Sequence, residues 1–147
     1  ETAKMKYALA LLLFAGCVTA YLTPQPTFVT RHPYDLFGRA TQAVNENCGG
    51  VKLADQDAQL VVSRWRTFPS DAGVVLSQCL VTLLEGDLEA REVRVTFSVR
   101  RCAGEVDAGT PEELDAVSRT CAHHEEVSGD VYKELTSTAD KIEAFLQ

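Results

Sequence analysis

Apolar positions at Leu36, Phe37, Ala40, Ala43 and Val44 fall three and four residues apart within Tyr34 to Asn47, the spacing of one helical face, and Gly49-Gly50 supply a stop. A short extended run, Val51 to Ala54, follows. Asp55-Gln56-Asp57 then makes a turn into Gln59 to Phe68, whose β-branched and aromatic content favours a strand. Beyond the turn cluster Pro69 to Gly73, the apolar run Val74 to Glu85 is compatible with a helix through Leu76, Leu80, Leu83 and Leu84. Its neighbour decides the matter. Val93 to Arg100 alternates apolar and polar without a fault, as a half-buried strand does, and such a strand needs a partner. The short connection Gly86 to Ala90 offers the preceding run, so both are assigned as strands.

Thr110-Pro111-Glu112-Glu113 is a capping box with proline at the first helical position. From there Leu114, Val117, Cys121, His124, Ser128, Val131, Leu135, Thr138, Ile142 and Phe145 keep helical spacing, which predicts one long helix with a bend at Gly129. The order predicts an α+β domain: a short helix, a four-stranded antiparallel meander and a long C-terminal helix packed on one face. Such a helix of roughly 36 residues spans about 54 Å, whereas strands of this length reach about 17 to 27 Å. Its far end must therefore either fold back or meet an envelope protein partner through Val131, Leu135, Ile142 and Phe145.

Ahead of this domain, Met5 to Ala20 reads as a positive start followed by an apolar run too short to span a bilayer comfortably, which is a secretory signal with Met5 as the true start. Two cleavage sites compete, one after Val18-Thr19-Ala20 and one before Cys17. The chain is 147 residues, 46% hydrophobic and 24% charged, which is ordinary composition for one globular domain and excludes both disorder and a multi-domain assembly. Its net charge of −7, with basic residues scattered, excludes a nucleic-acid partner.

Leu12-Leu13-Phe14-Ala15-Gly16-Cys17 resembles the lipobox of bacterial lipoproteins, in which small residues precede a cysteine that receives a diacylglycerol. With Ala40 to Gly50, Asp55 or Asp57, and Ser63-Arg64-Trp65, the chain resembles small uncharacterised envelope lipoproteins of Gram-negative bacteria. The resemblance implies a signal peptide over 1–16, lipid attachment at Cys17, membrane association through that lipid, and a Pro/Thr-rich tether over 17–33 ahead of a domain over 34–147. Val18 in place of Asp after the cysteine implies an outer-membrane address facing the periplasm. The implied role is accessory, structural or binding, without catalytic residues. Helix followed by meander also resembles cystatin-like inhibitors, which would suit a secreted protein without a lipid anchor. The glutamine-valine-x-glycine loop of that family is absent, its place taken by Phe68 to Gly73.

Four further cysteines, Cys48, Cys79, Cys102 and Cys121, suit two disulfides in an exported chain. Three pairings are open, and docking of the first helix on the sheet favours Cys48 with Cys79 and Cys102 with Cys121. Their spacings match no zinc pattern. His123-His124-Glu125-Glu126 lacks the geometry of a helical metal motif, and Ser63, Ser70 and Ser77 lack a nucleophile context, so no metal, cofactor or enzyme activity is expected. Arg64-Trp65-Arg66 is the candidate ligand contact, an aromatic with two guanidinium groups suited to an anionic glycan or lipid headgroup.

Overall fold

The computed structural model describes residues 19–70, 73–86 and 89–147. Cys17 and the leader before it lie outside the described residues. The elements run β1 Tyr21–Leu22, β2 Thr27–Thr30, α1 Leu36–Asn47, β3 Val51–Asp55, β4 Leu60–Ser63, β5 Arg66–Ser70, β6 Gly73–Leu83, β7 Arg91–Cys102, α2 Pro111–Ser118, β8 Ala122–His123, β9 Glu126–Val127 and α3 Gly129–Leu146. The fold is α+β, an antiparallel sheet with α1 and α3 packed together on one face.

The expected meander is present, and β2 joins its far edge to give the order β2-β7-β6-β4-β3. Alternation puts Val75, Cys79, Val81 and Leu83 of β6 and Val93, Val95, Phe97 and Val99 of β7 on one face, in register through pairs such as Val81 with Val95. Ala40, Ala43 and Val44 of α1 and Val131, Leu135, Ala139, Ile142 and Leu146 of α3 cover that face. The other face is covered at one end, where α2 and the Cys102–Cys121 disulfide close over Leu76.

Three expectations are corrected. The helix predicted from Leu114 to Phe145 is two helices, because Cys121 is held by Cys102, Ala122 and His123 pair with β7, and Val127 pairs with Tyr21. These long-range ties override a helical period that runs unbroken through the segment. Ser128 then caps a new helix, its hydroxyl accepting from the Val131 N–H. At 18 residues α3 spans about 27 Å, within the reach of the sheet. Its face at Val131, Leu135 and Ile142 is buried within the molecule, with Phe145 half-buried against the same core, so the expectation that this helix outruns the sheet is the second one corrected.

The tether expected over 17–33 is the third. Tyr21 pairs with Val127 and stacks on Tyr132 at 4.8 Å, while β2 pairs with β7 over Thr27 to Thr30. Phe28 enters the core, and the buried Thr30 hydroxyl donates to the Leu146 carbonyl at 2.8 Å. Arg39 donates to that carbonyl too, supplying from α1 the positive charge that the last turn of α3 lacks. Tyr21 to Thr30 therefore belong to the folded domain rather than to a tether ahead of it.

The second strand of the meander is interrupted. Pairing with β6 stops at Val62 with Leu80 and resumes at Arg66 with Ser77, so three residues, 63 to 65, lie opposite two, Gln78 and Cys79. Ser63 repairs the gap: its hydroxyl accepts from the Cys79 N–H at 2.8 Å and donates to the Arg64 carbonyl at 2.8 Å, and its carbonyl accepts from the Gln78 side chain. Ser63 and Cys79 are buried, so no water replaces the hydroxyl. Ser63→Ala should cost about 1–3 kcal/mol by stranding the Cys79 N–H. Urea unfolding with an unchanged slope checks it; a variant as stable as wild type would contradict this role.

Candidate functional site

The strand break at Ser63 to Trp65 faces a second irregularity. In β3 the register passes from Val51 with Ser63 to Leu53 with Val62, which makes Lys52 the extra residue. Two bulges side by side bend the sheet edge, and bulges re-aim side chains. Lys52 consequently reaches Asp115 on α2 and bonds its carboxylate. Helix α2 is held there by the predicted cap: Thr110 accepts from the Glu113 N–H, while the Glu113 carboxylate accepts from the Gly109 N–H.

Between these elements lies a shallow cavity of about 170 Å³, lined by Val51, Lys52, Arg64, Trp65, Pro111, Glu112 and Asp115. The bond from Lys52 holds the Asp115 carboxyl below its ordinary range, helped by the charges of Lys52 and Arg119 and by a hydrogen bond from the Trp65 indole. Arg119 donates to the same carboxylate at 3.0 Å from one turn along α2. Asp115 thus gathers an ammonium, a guanidinium and an indole N–H. This cavity is smaller than the several hundred Å³ of a typical organic-ligand pocket.

The trio Arg64-Trp65-Arg66 does not converge. Trp65 packs beside Leu76, Leu114 and Val117 in the small second core. Arg66 sits on the opposite, helix-covered face, donating to the Asn47 carbonyl at 3.4 Å and the Thr138 hydroxyl at 3.0 Å, with its guanidinium 5.4 Å from the Phe68 ring centre. Arg64 alone remains exposed at the cavity, its stem laid against Gly50, where a positive φ of 118° and the close arginine both disfavour a side chain. An aromatic flanked by two free cations is therefore not what the fold presents. The physical reason is the break between β4 and β5: residues 64 and 65 lie off the ladder, so Arg64 and Arg66, which unbroken alternation would place on one face, are parted.

The sequence also singled out serines, histidines and cysteines. Ser63 is the structural plug described above, and Ser77 is buried opposite Arg66 in the ladder. His123 lies in β8 opposite Arg100, and the His124 N–H donates to the Val99 carbonyl, so the histidines sit on extended backbone rather than on a helix. Among the described residues no three His, Cys, Asp or Glu side chains group as a metal would require. Cys102 and Cys121 are bonded, whereas Cys48 and Cys79 are buried thiols of the main core. Sequence reasoning missed Lys52 and Asp115; neither a bulge nor a contact over 63 residues leaves a local signal.

No protein-family model matches the chain, and no curated protein matches it either.

The Asp115 cluster predicts an acid dependence. A depressed carboxyl contributes stability above its unfolded pKa of about 4 and loses it as pH falls through the lower folded value. Lys52 is 44% exposed, so screening keeps the contribution small. Asp115→Asn should cost about 0.5 kcal/mol at pH 6 to 7, and the gap from wild type should close as pH falls below the carboxylate range. A gap that widens in acid, followed by urea titration at each pH, would contradict the assignment.

Proposed function

We propose that this chain is an exported, non-catalytic binding or structural domain, released by cleavage after Ala20 so that Tyr21 becomes its first residue. The observation that carries the reading is the position of Tyr21: among the described residues, pairing and ring stacking begin there, immediately after the small residues Val18-Thr19-Ala20 that suit an ordinary signal peptidase. The Cys102–Cys121 disulfide supports an oxidising compartment. Closing its 19-residue separation is worth on the order of 3 kcal/mol by loop entropy, a gain that a reducing cytosol would withdraw. The non-catalytic part of the reading is supported by the engagement of Ser63, Trp65 and Arg66 in the packing of the sheet.

A second reading keeps the lipid on Cys17 and an outer-membrane address. Its support is the sequence from Leu12 to Cys17. With residues from Tyr21 onward built into the domain, only Val18, Thr19 and Ala20 would separate lipid from fold, about 10 Å at full extension. A domain held that close would rest on the headgroups. A secreted domain needs no such spacer, and α1 on an antiparallel meander also suits the cystatin-like shape, although inhibition lacks its loop.

Intact mass of the mature chain from an exporting host separates these readings. The proposal expects a free Tyr21 amine in the soluble fraction. An acylated Cys17 recovered with membranes, and converted to soluble protein by Cys17→Ser, would replace it with the lipoprotein reading.

A further inference from the structure

Cys48 and Cys79 are the reactive groups that the candidate site leaves unused. Cys48 ends α1 as its C-cap, and Cys79 stands mid-strand in β6; the two are 1% and 3% exposed. The fold brings both into the main core. The apolar stripe Leu36, Ala40, Ala43 and Val44 lays α1 on the sheet, which carries its last residue over β6, while Ser63 pins the backbone N–H of Cys79 at 2.8 Å. Arg66 stands beside the pair, held between the Asn47 carbonyl and the Thr138 hydroxyl, and among the described residues no carboxylate pairs with it.

The geometry points to Cys48 and Cys79 as a second covalent staple, closed by thiol–disulfide exchange, with Cys48 as the attacking sulfur and Arg66 as the positioning residue whose charge stands beside the thiolate. The two thiols are unequal. A hydrogen bond with Cys79, opposed by burial and aided by the charge of Arg66, lowers the Cys48 pKa; Cys79 is pushed well up by the same bond and by burial, against the pull of Arg66. The co-reactant is a small disulfide such as oxidised glutathione. When the end of α1 opens, the Cys48 thiolate attacks one sulfur of that disulfide and expels the other half as a thiolate. Cys79 passes its proton to that leaving thiolate and then attacks the Cys48 sulfur of the mixed disulfide. The Cys48–Cys79 bond forms and the second half leaves as a thiolate that takes a proton from water. Two protein thiols are oxidised, and one small disulfide is reduced to two thiols. The staple would join α1 to the centre of the sheet, across the main core, whereas Cys102–Cys121 joins the end of β7 to the segment after α2.

The test does not depend on export, since glutathione buffer supplies the oxidant to the full purified chain. Reduced protein is exposed to a glutathione mixture, quenched in acid, alkylated in denaturant and mapped without reduction. The expected products are Cys48–Cys79 and Cys102–Cys121 peptides, and the doubly bonded form should melt at least about 5 °C above the singly bonded one. Wild-type chain that keeps both Cys48 and Cys79 alkylatable at equilibrium, or that crosslinks either to Cys102 or Cys121, overturns the proposal. Order of attack has its own readout. In wild-type chain quenched early in the reaction, the mixed disulfide with glutathione should map to Cys48 at least tenfold more often than to Cys79. Equal yields, or the reverse order, remove Cys48 as the attacking sulfur. Arg66→Gln should move the pH midpoint of adduct formation on Cys48 upward and Arg66→Lys should restore it; an unmoved midpoint removes Arg66 from the mechanism.

Discussion

Val75, Val81 and Leu83 on β6, with Val93, Val95, Phe97 and Val99 on β7, form one apolar surface, and covering it is the constraint on which the other elements depend. Each such side chain gains roughly 1.5–3 kcal/mol on burial, while a whole domain is stable by about 5–15 kcal/mol. Uncovering even a few of them would remove most of that margin, so neither α1 nor α3 is dispensable. The order of the elements follows. Helix α1 arrives first and covers part of the face, and α3 arrives last and covers the rest against α1, its end fastened by Thr30 and Arg39 from elements earlier in the chain.

The second face of the sheet is treated differently. Where β6 begins and β7 ends, α2 and the Cys102–Cys121 disulfide bury Leu76 beneath Trp65, Leu114 and Val117. Farther along, Leu80, Thr82, Thr96 and Ser98 are only half-buried, and Leu53 on the edge strand is exposed. The double bulge marks the change between these regions. It bends the edge, sends Lys52 across to Asp115 on α2, and leaves Gln78 and Cys79 of β6 without partners on the β4 side, where Ser63 meets the Cys79 N–H and the Gln78 side chain. A serine that looks like a nucleophile in sequence is here a hydroxyl set between the Cys79 N–H and the Arg64 carbonyl at the break in the ladder.

How much of this was legible follows from the range of the interactions. Alternation in Val93 to Arg100, the helical stripe in Leu36 to Val44 and the box at Thr110 to Glu113 are local signals, and each element formed where its signal lies. The helical spacing through Cys121, His124 and Ser128 is equally regular, yet no helix forms between Arg119 and Val127, because a disulfide and two short strand pairings act there from 19 to 106 residues away. The strand character of Tyr21 to Thr30 was hidden for the same reason: its prolines and threonines read as a tether until β7 and β9 supply partners. The candidate ligand trio failed on the break between β4 and β5, which parts Arg64 from Arg66 where unbroken alternation would have kept them on one face, and that break depends on the pairing with β6. Lys52 with Asp115 left no signal to read.

Native-state hydrogen exchange across the chain measures the dependence of the fold on the covered face most directly. In mild denaturant, amides of Val81 and Val95 in the sheet, Ala43 and Val44 in α1, and Leu135 and Ile142 in α3 should converge on one opening free energy, within about 1 kcal/mol, because removing either helix exposes the same surface. If α3 exchanges at a much lower opening energy while Val81 and Val95 stay protected, the sheet stands without its cover and the account is wrong.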